Sequence, residues 1–228
     1  MKAVSTLLLV LSFFTVFGQA DTSKKVDQPE NELKIKPLII PTALMTYGFL
    51  RNTIIPLKTL DISTRNEIMQ NHPMFSSNVD DYAQWVPAGS LLLMNAAGMK
   101  TEHKIKDQAI IYLMSTVLMS GSVFTFKEVT KQYRPDSSSK SSFPSGHTAN
   151  AFVGAEMIHQ ELKNTHPVLS YAGYLIAATT GIYRMLNNRH WLSDVIAGAG
   201  FGMLSTRASY FIFGKFHSGK AKRKPPVL

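Results

Sequence analysis

Between residues 83 and 213 this chain is five apolar stretches joined by short links, with its most reactive side chains gathered at the ends of those stretches. The stretches run over about 83–99, 107–126, 145–161, 168–184 and 190–213. No strand-like alternation and no internal repeat stands out. Helices joined by short connections pack antiparallel to their neighbours, so alternate ends share one side. The expected fold is therefore an all-α helical bundle. Its polar motifs close 107–126, open 145–161, close 168–184 and open 190–213, and these four ends lie together.

The motifs are chemically specific. The first is Lys127-x6-Arg134-Pro135. On a helix its two cations are about two turns apart and leave one face, and Pro135 ends that helix nearby. The second is Pro144-Ser145-Gly146-His147, ahead of the Ala-rich run 148–155. Proline suits a first helical turn, and Gly146 lets the backbone approach a ligand. A helix N-terminus turns free amides toward an anion. Ser145 adds a hydroxyl, and His147 is placed to hand over a proton. The third is Arg184-x5-His190-x3-Asp194, with a polar bend at Asn187-Asn188-Arg189. On a helix His190 and Asp194 stack on one face. A carboxylate on one imidazole nitrogen leaves the other as a nucleophile. Singly, these are charged helix ends, a turn and a surface His-Asp pair. In this order they make a grip for a tetrahedral oxyanion such as phosphate, with a histidine to attack it.

These three motifs resemble those of the type 2 phosphatidic acid phosphatase (PAP2) superfamily, which includes bacterial acid phosphatases and vanadium haloperoxidases. The likeness covers roughly 84–213, with bacterial lipid A and undecaprenyl pyrophosphate phosphatases nearest in kind. It implies His190 as nucleophile, forming a phosphohistidine, and Asp194 as its orienting partner. It implies His147 as general acid and then base toward water. Lys127, Arg134, Ser145, the Gly146 amide and Arg184 would hold the phosphate oxygens, with no metal and no cofactor. One position departs from the pattern: Tyr183 stands where the family carries Ser, which bears on pocket shape and choice of leaving group.

Composition narrows the setting. The chain has 228 residues, a formal charge of +9, 45% hydrophobic residues and no cysteine, so disulfides and thiolate metal sites are excluded. Its aromatics do not interleave with its basic clusters, which speaks against a nucleic-acid partner. Residues 1–20 read as a signal peptide, with Lys2, an apolar run and the small residue Ala20 at its end. The expected organisation is 1–20 signal peptide, 21–82 a polar segment followed by apolar and amphipathic helices, 83–214 the catalytic helical domain, and 215–228 a basic tail.

The helices at 83–99 and 107–126 come close to the length that crosses hydrocarbon. Glu156 and Arg207 interrupt two others, which is costly in a membrane unless they face the bundle interior. Lys100, Lys104, Lys106, Lys163 and the tail lie opposite the motifs. The positive-inside rule puts them in the cytoplasm and the motifs at the periplasmic face. With an exported N-terminus this holds only if 37–57 docks without spanning, as Pro41, Arg51 and Pro56 favour. The expected function is phosphate removal from a lipid phosphomonoester or pyrophosphate, in the membrane. Three readings stand beside it: a soluble periplasmic acid phosphatase, a haloperoxidase that would hold vanadate on His190, and a non-enzymatic membrane scaffold.

Overall fold

The computed structural model describes residues 35–221, with side chains to 216. The signal peptide expected at 1–20 and residues 222–228 of the basic tail lie outside the described residues. Eight α-helices and no strand occur among those described: α1 Lys36–Leu50, α2 Ile55–Asn71, α3 Val79–Ala83, α4 Val86–Ala96, α5 Ile105–Thr130, α6 Gly146–Leu162, α7 Ala172–Leu186 and α8 Leu192–Ala221. A single 3-10 turn, Leu169–Tyr171, leads into α7.

The centre is α6, whose residues are almost all buried and which packs against α4, α5, α7 and α8. Its small residues make this possible. A side chain at Gly198 would meet the Ser145 carbonyl at 2.6 Å, and one at Gly202 the Ala149 carbonyl at 2.3 Å. Glycine at these two points lets α8 lie directly on the first turns of α6. Met119, Val123, Phe143, Ala149, Val153, Ala197 and Phe201 close the core on that side, and Phe49 of α1 stacks edge-on against Phe126 and Phe143.

Several helix limits differ from the sequence reading. The stretch 83–99 is not one helix: it breaks after Ala83, and α4 has only 11 residues, about 16 Å of rise and too short to span. Pro87 sits in the first turn of α4 and Gly98 takes φ +77° just past its end, which fixes both limits. Conversely α5 continues beyond 126 to Thr130 and stops at Lys131 in the left-handed conformation, φ 44°. Lys127 is thus in its last turn and Arg134 in the loop that follows. The two cations do not share a helix face, and Lys131 rather than Pro135 ends the helix.

The segment 37–57 is α1, a bend at 51–54 and the start of α2. The two helices meet at 87°, and α1 lies along α8. In 58–82, where the sequence suggests a short amphipathic helix, α2 runs for 17 residues and α3 follows.

The charges that seemed to interrupt α6 and α8 face each other. Glu156, fully buried, takes hydrogen bonds from Arg207 Nε at 2.7 Å and Nη2 at 3.2 Å. The Tyr174 hydroxyl at 2.5 Å and Gln160 at 2.6 Å complete its partners. A buried pair satisfied this way can sit inside a membrane bundle. At the end away from the motifs, buried Glu161 binds His103, Gln108 and Tyr210. The helix α5 is long and apolar enough to cross a membrane. Leu113, Val117 and Phe124 on it are 65%, 62% and 66% exposed. The core helix of a soluble bundle would bury such residues.

Candidate active site

The C-terminal ends of α5 and α7 and the N-terminal ends of α6 and α8 meet. The Ser145 amide donates to the Asp194 backbone carbonyl at 3.0 Å, joining the second motif to the third. Gln132 Nε2 donates to Asp194 Oδ1 at 2.9 Å, and the Ser142 hydroxyl donates to Oδ2, joining the loop after α5 to the third motif. Lys127 Nζ donates to the Ser141 carbonyl in the same loop.

His190 is not on a helix with Asp194. It lies in the turn ahead of α8, which begins at Leu192. The reason is a cap: Asp194 Oδ2, in the first turn, accepts the Trp191 amide at 2.9 Å, the manner in which acidic residues satisfy the open amides of a helix start. The same oxygen is 3.5 Å from His190 Nδ1, close but not a formed hydrogen bond. His190 is 3% exposed and Asp194 fully buried. Burial drives the His190 pKa down to about 4, Asp194 works against that fall, and Lys127 and Arg184 add to it. The imidazole is therefore neutral over ordinary pH.

The cations are crowded. Burial and then the like charge of Arg184 push the Arg134 guanidinium below its ordinary value. Nε of Arg134 and Nε of Arg184 are buried without a protein partner, although buried donors are almost always satisfied. Ser145 is fully buried and its hydroxyl bonds the Thr148 hydroxyl at 2.9 Å. A side chain at Gly146 would meet nothing closer than Val123 at 3.8 Å, so protein packing alone does not demand glycine there. Among the described residues no group of three or more His, Cys, Asp or Glu is placed to hold a metal.

The N-terminal region supplies residues that the motifs do not reveal. Asp61 on α2, 1% exposed, accepts the Ser193 amide at 2.9 Å and the Ser193 hydroxyl at 2.5 Å. It also pairs with Arg51 Nε at 2.8 Å; that nitrogen is not aligned as a hydrogen-bond donor. Arg51 lies over the Trp191 ring, 4.8 Å from its centre. A carboxylate on α2 thus caps α8 beside His190 and Asp194. On α3, Asp80 Oδ2 accepts Arg184 Nη1 at 2.6 Å and Asp80 Oδ1 accepts Asn187 Nδ2 at 2.9 Å. Asp81 Oδ1 is 2.9 Å from His147 Nε2. Tyr183, the departure from the family pattern, packs edge-on against Phe75 and helps hold this segment. The bend at Asn187-Asn188 is fastened by Ser77 and by Arg65 Nε to Asn188 Oδ1 at 3.0 Å. The sequence signal for these anchors is faint: acidic residues in a basic chain, ahead of the motif region.

Comparison with known proteins agrees with the motifs. A family model for the PAP2 superfamily matches residues 108–218. Over 139 residues the chain is 39% identical to a lipid A 1-phosphatase of Porphyromonas gingivalis, a match covering 60% of this chain and 31% of that protein. The matched part is thus about a third of the curated relative's length. Two solved structures are similar in fold. The Aquifex aeolicus LpxE structure is 19% identical, with a TM-score of 0.46, covering 64% of this chain and 93% of that one. The transmembrane PAP2-type phosphatidylglycerolphosphate phosphatase of Bacillus subtilis is 20% identical, with a TM-score of 0.48, covering 85% and 100%. Residues 108–218, which contain all three motifs, thus match the PAP2 superfamily.

Proposed function

We propose that the protein is a membrane phosphatase that removes phosphate from a lipid phosphomonoester through a phosphohistidine on His190. The observation that carries this is the crowding of Lys127, Arg134 and Arg184 around a buried, neutral histidine. Like charges held together in low dielectric are unfavourable until an anion joins them. A phosphoryl group spreading charge over three oxygens answers that arrangement.

In this reading His190 attacks through Nε2, since Nδ1 faces Asp194. The two arginines and Lys127 take the equatorial oxygens, with the Gly146 amide and the Ser145 hydroxyl at the start of α6. As the N–P bond forms and the P–O bond breaks, His147 protonates the leaving oxygen. It then takes a proton from the water that releases phosphate. No metal enters these steps, so turnover is expected to persist in EDTA.

The lipid part rests on two supports: the exposed apolar face of α5 and the lipid A 1-phosphatase relative. We place the motif end at the periplasmic face, since Lys100, Lys104, Lys106 and Lys163 lie at the other end. Purified protein and its His190→Ala variant would be given lipid A, undecaprenyl pyrophosphate, phosphatidate and p-nitrophenyl phosphate. Phosphate release from one lipid far above the soluble ester, absent in the variant, is expected. Equal or better turnover of the soluble ester would overturn the lipid assignment.

The pH profile of kcat/KM should be bell-shaped and acidic. His190 must be neutral, and it gains its proton only near pH 4. His147 must be protonated; burial first, then Arg184, lowers its pKa below the ordinary 6.5 while Asp81 and Asp80 raise it. Activity therefore rises through about pH 4 and falls again before neutrality. A maximum at alkaline pH, or a flat profile from pH 4 to about 9, would contradict the two roles.

A further inference from the structure

We infer that Asp81 is the positioning partner of His147, so that the site holds two His-carboxylate pairs, one for the nucleophile and one for the proton donor. The inference rests on the mechanism proposed above. Asp81 Oδ1 lies 2.9 Å from His147 Nε2, and His147 Nδ1 has no protein partner among the described residues. A protonated imidazole carries two N–H groups. One is held by Asp81, which fixes the ring and leaves Nδ1–H to face the leaving oxygen. When Nδ1 gives its proton to that oxygen, the remaining proton stays on Nε2 against Asp81. Nδ1 is then the free base that receives a proton from water. The carboxylate keeps its charge throughout, as an orienting carboxylate does in a hydrolytic triad.

The placement of Asp81 is built. Its neighbour Asp80 is 1% exposed and fastened to Arg184 and Asn187. The Ser77 amide and carbonyl both bond Asn187. These contacts pin α3 to the end of α7, so Asp81 reaches His147 from a fixed backbone. The charged groups facing His147 are Asp81 and Asp80 from α3 and Arg184 from α7. Asp80 is already committed to Arg184, and Arg184 itself opposes protonation of His147. Asp81 is the carboxylate in direct contact that favours the charged ring.

The test is an NMR titration of ring-labelled histidines in detergent micelles, with the His147 signal assigned by its loss in His147→Gln. It would be paired with kcat/KM profiles on phosphatidate in mixed micelles. Asp81→Asn should move the His147 midpoint down by roughly half a pH unit, the size fitting a partly exposed pair. The alkaline limb of kcat/KM should move with it while the acidic limb stays, and Asp81→Glu should restore both. An unmoved His147 midpoint overturns the pairing, and so does higher activity of Asp81→Asn at every pH, which would mark the contact as an inhibitory latch. Undiminished turnover by His190→Ala would instead remove the mechanism itself, a separate failure that the NMR midpoint does not register.

Discussion

His190→Ala is expected to lower kcat by roughly four orders of magnitude or more, because in the proposed mechanism it removes the atom that forms the covalent bond. The fold should survive. His190 lies in a turn and is held chiefly by burial, and Asp194 keeps its bonds to Gln132, Ser142 and the Trp191 amide. Vanadate affinity, which reads the cations, should fall far less than kcat. His147→Ala should behave differently. Loss of a general acid costs about 10²–10⁴-fold, and the cost depends on the leaving group. An alkoxide leaving from a lipid needs the proton; nitrophenolate hardly does. The ratio of wild-type to His147→Ala rates should therefore be large on a lipid phosphomonoester and small on p-nitrophenyl phosphate, whereas His190→Ala should be equally inactive on both. Rates are read by phosphate release under single-turnover conditions. Equal losses on both substrates in His147→Ala would remove the general-acid role.

The parts of this arrangement that sequence reveals are those where chemistry restricts residue type. Lysine, arginine and histidine at fixed spacing beside helix-forming apolar runs leave few alternatives, and the up-and-down order brings their ends together. What sequence hides is set by tertiary contacts. Helix α5 outruns its apolar stretch because Lys131 takes the left-handed stop, a choice that local composition does not dictate. His190 sits ahead of α8 because Asp194 spends one oxygen on the Trp191 amide. A four-residue spacing reads as a shared helix face when it is in fact a capped turn. Asp61 and Asp80 reach partners 132 and 104 residues away in the chain, and no local pattern marks such pairing. A general signal did exist. A basic chain that buries carboxylates near a cationic site must give each of them a partner, so acidic residues in the charged segment 58–82 were candidates for clamps.

The Arg51–Asp61 clamp gives the second large effect. Both side chains are almost fully buried, and removing one member of such a pair typically costs about 3–5 kcal/mol. Asp61→Ala leaves Arg51 with an uncompensated charge and strips Ser193 of two bonds, so thermal unfolding should shift down by several degrees. The informative comparison is the double variant Arg51→Met with Asp61→Leu. An apolar pair of similar volume often recovers most of the stability of a buried ion pair, so the melting temperature should return toward the wild type. Catalysis should not return with it. The Ser193 amide, one residue from Asp194 and three from His190, would still lack the carboxylate that orients the start of α8. The double variant should thus be stable, bind vanadate nearly as well as the wild type, and remain slow in forming the phosphoenzyme by at least about tenfold, a geometric loss of the size that small misplacements produce. Full recovery of kcat along with stability would show that Asp61 serves only to hold the fold. Loss of vanadate binding would show that the clamp sets the cation cluster rather than the nucleophile. The prediction separates these because Asp61 touches the α8 cap and Arg51 but none of Lys127, Arg134 or Arg184.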